Sequence, residues 1–480
     1  MNVFTKPSSL SESHILQLFN LQSEQVESIS ITHKKDGLYA SIKLERKECS
    51  CPACDYKTTT IKGYSSKKIL HSLTTHTPCF ILYNARRMKC DACGKTFYEN
   101  NPFAYKNMKI SLLTVCNVLN DLKKPTETFT SVSSRYGISD TATAAIFDSH
   151  VFIPRRKLPK YINVDEVYAF SGDRSNYVCV FVDFLTGKTI DLLPTRRKED
   201  LVKYFNLIPL EERKNVELIS MDMWETYRVV AKSVFPNART VVDKFHLYQE
   251  LHRRITTIRI AAMNRTKPVK TKKNTKLSVA QKYEYEQRAK DYYILKKFNW
   301  LLFKNENHKT MVKCKDGSER EIKILDPNME KKPNRVLGRY CNFYDLYDML
   351  LTIDSELETA MNLKYKFDQF YKTSTYENSK EILEDLIFEF SLCGVASLVE
   401  FAGTMKRWKK EIIHSFIIID KSTNRKMNNG IIENRNKVMK QLKHNANGYR
   451  NWERFRTRAL FVLNDDITYR VNPITQKNNR

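Results

Sequence analysis

No run of 18 apolar residues occurs in the chain, and "FSLCGVASLVEFAG" (390–403) is too short and too interrupted to cross a bilayer. The opening "MNVFTKPSSLSESHILQLFN" lacks a basic segment followed by an apolar block, so no secretory signal is expected. Both absences argue against a membrane protein and predict a soluble, cytoplasmic one. Acidic residues are also in short supply, 54 against 81 Lys and Arg, for a net charge of +27. The eleven cysteines are an odd number in a long chain, which favours thiols or metal ligands over a disulfide framework.

What is present is unevenly spread. Residues 253–313 hold 17 Lys/Arg against 4 Asp/Glu, and residues 405–480 hold 18 against 6, so these two stretches carry nearly all the excess charge. Concentration of this kind is the footprint of a polyanion-binding surface, with nucleic acid the expected partner. The Lys- and Asn-rich "RTKPVKTKKNTKLS" (265–278) reads as a loosely ordered linker. At 480 residues, with 41% hydrophobic, the chain is long enough for several cores.

Residues 1–45 predict a short amphipathic helix and alternating strands. Two cysteine pairs follow, Cys51/Cys54 in "CPAC" and Cys90/Cys93 in "CDAC", with 35 residues between them. A CxxC knuckle lets two thiolates converge on one metal, and two knuckles complete a tetrahedral Zn²⁺ site with no place for water, hence a structural one. Cys49 and Cys79 fall outside the pattern and read as non-ligands. "HTPCFILYNARRMKC" (76–90) reads as the strand leading to the second knuckle.

Residues 109–150 read as helical. Within "FTSVSSRYGISDTATAAIFDSH" (129–150) a short helix, a turn at Gly137 and a second helix capped by Ser139 have helix-turn-helix spacing. Arg135, Thr141 and Thr143 are the expected DNA contacts, with Ser139 and Asp140 opening the recognition helix.

"KYINVDEVYAF" (160–170) reads as a strand bearing Asp165, and "NYVCVFVDFLTGKTIDLLP" (176–194) as a hairpin turning at Thr186-Gly187. A helix (196–208), a buried strand "VELISMD" ending in Asp222, a helix (226–235) and a strand "RTVVDKF" (239–245) follow. The order βββαβαβ, with acids at the ends of the first and fourth strands, is a ribonuclease-H-like arrangement in which those strands are neighbours. Asp183 and Asp191 at the hairpin read as ordinary surface or turn acids.

Two carboxylates make a poor phosphoryl-transfer metal site, because a second ion needs another oxygen ligand. "NNGIIENRNKVMKQLKH" (428–444) offers one. On a helical wheel Ile431, Ile432, Val438, Met439 and Leu442 share one face, with Glu433, Lys437 and Lys440 opposite. Packed through Ile431, Val438 and Leu442, the helix would turn Ile432 sideways and Glu433 toward the sheet edge. Lys437 and Lys440 would then lie one and two turns on, able to hold DNA phosphates.

The zinc ribbon ending "RRMKCDACGKTFYE", the "VDE" strand, "SMDMWETYRVVAKSVFPNARTVVDKFHL" (220–247), "FNWLLFKN" (298–305) and the stretch 428–461 together resemble the bacterial insertion-sequence transposases of the ISL-three family. The resemblance covers most of the chain. It implies a DDE recombinase: an α/β multidomain protein with a ribonuclease-H-like core interrupted by a long helical insertion. The implied triad is Asp165, Asp222 and Glu433, holding two Mg²⁺ (or Mn²⁺) ions for cleavage and strand transfer, and the 210 residues between Asp222 and Glu433 fit the insertion. It further implies double-stranded DNA with terminal inverted repeats, target DNA and a homodimer at the nucleoid. Asp243 and His246 match a family motif, as metal-site support or as strand-end structure. Where the family usually has glycine after the glutamate, this chain has Asn434, read as a variant because asparagine tolerates unusual backbone angles.

The expected domains are residues 1–104 with the zinc ribbon, 105–155 the helix-turn-helix, 156–250 the first part of the core, 251–424 the helical basic insertion, and 425–480 the core completion. The rival readings are a nuclease of the same fold without strand transfer, and a DNA-binding regulator that has lost the chemistry.

Overall fold

The computed structural model describes residues 12–73, 77–105, 108–170, 175–268, 278–304, 309–313 and 317–472. Most of the predicted linker 265–278 lies outside them. The chain divides into two compact units. The first comprises Met1–Lys157, Glu166–Arg196 and Ile432–Arg480, and the second Leu158–Asp165 and Arg197–Ile431.

In chain order the elements begin with α1 (Glu12–Leu18), β1 (Val26–Lys34), β2 (Gly37–Leu44), β3 (Cys49–Ser50), β4 (Lys57–Thr58), β5 (Ile61–Leu70), β6 (Cys79–Lys89) and β7 (Thr96–Tyr98). Helices α2 (Leu112–Leu122), α3 (Phe129–Tyr136) and α4 (Asp140–His150) follow. Next come β8 (Tyr161–Val167), β9 (Val178–Asp183), β10 (Thr189–Leu193), α5 (Lys198–Asn206), α6 (Leu210–Lys214), β11 (Leu218–Met221), α7 (Glu225–Val234) and β12 (Arg239–Val242). The remaining helices are α8 (Lys244–Thr266), α9 (Val279–Lys297), α10 (Phe343–Thr352), α11 (Ser355–Thr373), α12 (Ser379–Leu392), α13 (Ala396–Arg407), α14 (Lys409–His414), α15 (Gly430–Asn445) and α16 (Trp452–Leu463), with small two-stranded hairpins between them.

The first unit opens with a sheet ordered β1-β2-β6-β5, with β7 added to β6. Strand β6 alternates as its sequence predicts: Ile81, Tyr83 and Ala85 enter a core with Ala40, Ile42, Ile69 and Phe103, closed by Leu16 and Phe19. Gly37 starts β2 at φ 144°, and a Cβ there would stand 2.2 Å from the Pro78 carbonyl oxygen, so no other residue fits.

The same unit holds the three-helix module. Ser111, Thr128 and Ser139 cap α2, α3 and α4, each accepting a backbone N–H from the first turn. Gly137 ends α3 in the left-handed conformation, φ 64°, as the turn requires. Val118, Leu119, Leu122, Val132, Ile146 and Phe147 form the core, and Phe461 and Ile467 from the C-terminal segment complete it. The turn after α2 is fastened by that segment as well. Arg458, wholly buried on α16, donates to the carbonyls of Lys124 and Glu127 at 3.0 Å, and Asn445 donates to those of Pro125 and Thr126.

The β9–β10 hairpin also belongs to this unit. Asp183 is the turn acid expected, accepting from Leu185 N and the Thr186 hydroxyl. Asp191 is not a surface acid: it is buried and paired with Arg456 of α16 at 2.6 Å.

In the second unit β8, β11 and β12 run parallel, with β11 central. The predicted strand 239–245 stops at Val242, because Asp243 caps α8 by accepting Phe245 N at 3.1 Å. From Lys244 to His414 the described residues are mainly helical, α8 to α14.

Candidate functional site

The two cysteine knuckles have one backbone design. Cys51 N donates to Tyr56 O and Asp55 N to Cys51 O, both at 2.9 Å. In the second knuckle Cys90 N donates to Lys95 O at 2.9 Å and Gly94 N to Cys90 O at 3.0 Å. Asp55 and Gly94 occupy the same place in each loop and both have positive φ, 56° and 71°. Sulfurs of opposite knuckles face each other, Cys51 with Cys93 at 3.6 Å and Cys54 with Cys90 at 3.5 Å. Among the described residues this quartet is the one group of three or more His, Cys, Asp or Glu ligand atoms lying within 4.8 Å of one another. Four sulfurs this close resist common ionisation. Burial pushes the Cys51 thiol up, but the N–H groups of Ala53 and Cys54 outweigh it and bring the thiol to about 7. The Tyr56 N–H favours the Cys54 thiolate, yet the neighbouring cysteines leave that thiol at about 12. A central divalent cation removes this conflict, so the donor set fits structural Zn²⁺. Cys79 stands apart in the core with its thiol pushed by burial to about 11, a non-ligand.

The acids of the second unit are positioned by strand register. Ser220 of β11 lies opposite Asn163 of the parallel strand β8; Asp165 lies two residues further along β8 and Asp222 directly follows β11, so both acids fall toward the same end of adjacent strands. Around them is a polar network. Asp222 Oδ1 receives His246 Nε2 at 2.6 Å and Asn429 Nδ2 at 3.4 Å. Asn429 N donates to Asp243 Oδ2 at 3.2 Å, and Asn429 Oδ1 accepts the Ser220 hydroxyl at 2.7 Å and Asn163 Nδ2 at 3.0 Å. Burial opposes protonation of His246, but Asp222, Asp243 and Asp165 together raise its pKa above the ordinary imidazole value. Three carboxylates therefore act on one imidazole near the same end of the parallel strands, although with His246 they form no group of three ligand atoms within 4.8 Å of one another among the described residues.

Asn429, Asn163 and Ser220 are missing from the sequence reading. The available signal was a polar residue at a buried position of each strand, Asn163 in "YINVD" and Ser220 in "LISMD".

Asn429 immediately precedes α15, and Glu433 stands on that helix's first turn, exposed. Lys437 and Lys440 are exposed too, as expected. The packed face differs from the expectation: Ile432 is buried rather than turned sideways, in line with Asn436, Met439 and Leu442. The buried stripe follows 432, 436, 439 and 442, and its one polar member, Asn436, disguised it. Arg435 steadies the helix by donating to Gly187 O at 3.0 Å and Leu463 O at 3.1 Å. Asn434 is an ordinary exposed helical residue without positive φ, so the backbone there has no need of glycine.

Two of the three expected DNA contacts on the helical module are otherwise occupied. Thr143 is buried, its hydroxyl donating to Ser139 O at 3.1 Å. It shares the inward stripe of α4 with Ile146, Phe147 and His150 and cannot reach DNA. Arg135 is held by Glu127 at 2.7 Å and by Asp121, and these carboxylates raise its pKa and neutralise its charge. Thr141 alone is exposed as expected. Asp140 faces back to α3, accepting from Thr130 and Ser133.

Among the described residues no helix is long and apolar enough to cross a membrane. A family model described as a transposase, that of the ISL3 DDE transposases, matches residues 162–459. The zinc-finger model of the transposases of IS204, IS1001, IS1096 and IS1165 matches residues 47–93, which span all four cysteines. The transposase for insertion sequence element IS1001 of Bordetella parapertussis is 20% identical over 424 residues, covering 87% of this chain and 88% of that protein. With its zinc ribbon and a family match over more than half its length, the chain belongs to the ISL3 family of DDE transposases.

Proposed function

We propose that this transposase binds the terminal inverted repeats of its element and catalyses metal-dependent strand cleavage and strand transfer on a ribonuclease-H-like core, with Asp165, Asp222 and Glu433 as the catalytic acids. The observation that supports the reading is that Asp165 lies in β8 and Asp222 directly after β11, two neighbouring parallel strands. The element order β8-β9-β10-α5-α6-β11-α7-β12 agrees with such a core once the short α6 is set aside.

Asp165, Asp222 and Glu433 would hold Mg²⁺ or Mn²⁺, which when bound polarises the scissile phosphate and activates a water or a 3′-OH. The chain's own residues prepare that chemistry. His246 and Asn429 both bond Asp222 Oδ1 and so fix its carboxylate plane. Asn429 joins Asp222 to Asp243 and to both strands, so the residue just before α15 is anchored among the acids. Lys437 and Lys440 hold phosphates along the exposed face that begins at Glu433, and Thr141 meets DNA from α4. Two copies acting together would bring two ends to one target on the host nucleoid.

The test is a strand-joining assay with purified protein, a precleaved 3′-OH element end, a target plasmid and Mg²⁺. Joined product from the wild type, with losses of at least about a thousandfold in Asp222→Asn and Glu433→Gln, is expected. Hydrolysis without joining would favour a nuclease, and an active Asp222→Asn would remove the catalytic assignment.

A further inference from the structure

Four residues outside the acid site meet within the first unit. Lys443 of α15 holds its Nζ 4.0 Å from the ring centroid of Tyr168. Tyr168 meets Tyr177 edge to face, with centroids 5.7 Å apart and planes at 77°. The Arg196 guanidinium lies 4.2 Å from the Tyr177 centroid and pairs with Glu166 at 2.7 Å. Two neighbouring rings are thus flanked by two cations, one on each ring. Tyr168 directly follows β8, three residues after Asp165.

The Tyr168 side chain does not fill a core, since the residue is 49% exposed. An ammonium group covers a ring face and a second phenol braces it, which fixes the ring's plane while leaving much of it in water. A cation over an exposed ring contributes only about 0.5–1 kcal/mol, so this pairing is a weak reason to keep a large apolar ring at the surface. A nucleobase supplies a stronger one, because stacking on an aromatic side chain is tolerant of sequence and larger in magnitude. The charge around the rings selects a polyanion: α15 also presents Lys437 and Lys440 to solvent. Bases inside a duplex are already stacked on both sides, so the ring can take only an unpaired one.

We infer that Tyr168, braced by Tyr177, is a stacking platform for an unpaired nucleotide base, with Lys443 attracting the adjoining phosphate. The inference rests on the reading of the chain as an enzyme of DNA ends and deepens it: the strand end is held with its terminal bases separated.

The probe is a fluorescein-labelled twelve-thymidine oligonucleotide, titrated with the full-length protein and followed by anisotropy. Tyr168→Ala should weaken binding about five- to hundredfold, while Tyr168→Trp retains it and duplex of the same length binds both proteins alike. A 2-aminopurine placed in the same oligonucleotide should lose at least half its fluorescence on binding wild-type protein, a signal that depends on stacking and not on fold. Unchanged binding by a folded Tyr168→Ala, or an unquenched 2-aminopurine, would overturn the inference. The oligonucleotide titration requires no strand joining, so a failure of strand joining and a failure of stacking are read separately.

Discussion

Asn429 accepts the Ser220 hydroxyl at 2.7 Å, joining positions 209 residues apart in the chain. The same Oδ1 takes Asn163, and the same side chain donates to Asp222. One amide therefore holds two strands and a candidate metal ligand in register. Asn429→Ala leaves the Ser220 and Asn163 donors buried without that acceptor and should cost about 2–3 kcal/mol. Ser220→Ala leaves Oδ1 bonded to Asn163 and should cost about 1 kcal/mol. Urea unfolding of both variants checks the order, and strand joining should fall with it.

Metal analysis should find one zinc per chain, with none retained by Cys51→Ser or Cys90→Ser. Cys49→Ser and Cys79→Ser should keep full occupancy, because Cys49 Sγ donates to Lys47 O and stands outside the quartet, and Cys79 lies in the sheet core. A chelator should lower the unfolding temperature of the wild type and leave that of Cys90→Ser unchanged.

Phe461 belongs to the core of the helical module, edge-on to Phe147 with centroids 5.9 Å apart. Phe461→Ala should cost about 3–5 kcal/mol. Hydrogen exchange should speed up in α2, α3 and α4, more than 300 positions earlier in the sequence. Unchanged protection of those helices would show that the module stands without its C-terminal partner.

His71 is buried between Ser111 Oγ and Leu18 O, each 3.0 Å from a ring nitrogen, and burial depresses its pKa below the ordinary imidazole value. The folded protein therefore binds the proton less well than the unfolded chain. The stability this contributes is complete above about pH 6.5 and is lost as pH falls from there through the lower, folded value. Between pH 7.5 and 5.5 the melting temperature of the wild type should drop further than that of His71→Gln.

Features encoded within a few residues were readable from sequence. The zinc quartet follows from CxxC spacing, since each knuckle is a local backbone loop. Ser139 and Gly137 announced the helix boundaries for the same reason. Asp165 and Asp222 stood out as candidates because a carboxylate ending an apolar run is a local contrast. What depended on distant partners was hidden. Arg135 looked like a free cation until Asp121 and Glu127, from another helix and its turn, were brought to it. Asn429 gained meaning only beside strands some 200 residues earlier. Thr143 is the exception: its stripe with Ile146, Phe147 and His150 was on the page, and helical periodicity alone would have turned it inward.

The captured turn after α2 sets an order of events during synthesis. Lys123 donates to the carbonyl of Asn464, 341 positions later, and Arg458 and Asn445 close on the carbonyls between α2 and α3. A ribosome must deliver almost the whole polypeptide before this module can seal its interior. A message cut short or shifted in frame upstream of α16 therefore yields a product whose helical module lacks part of its own interior.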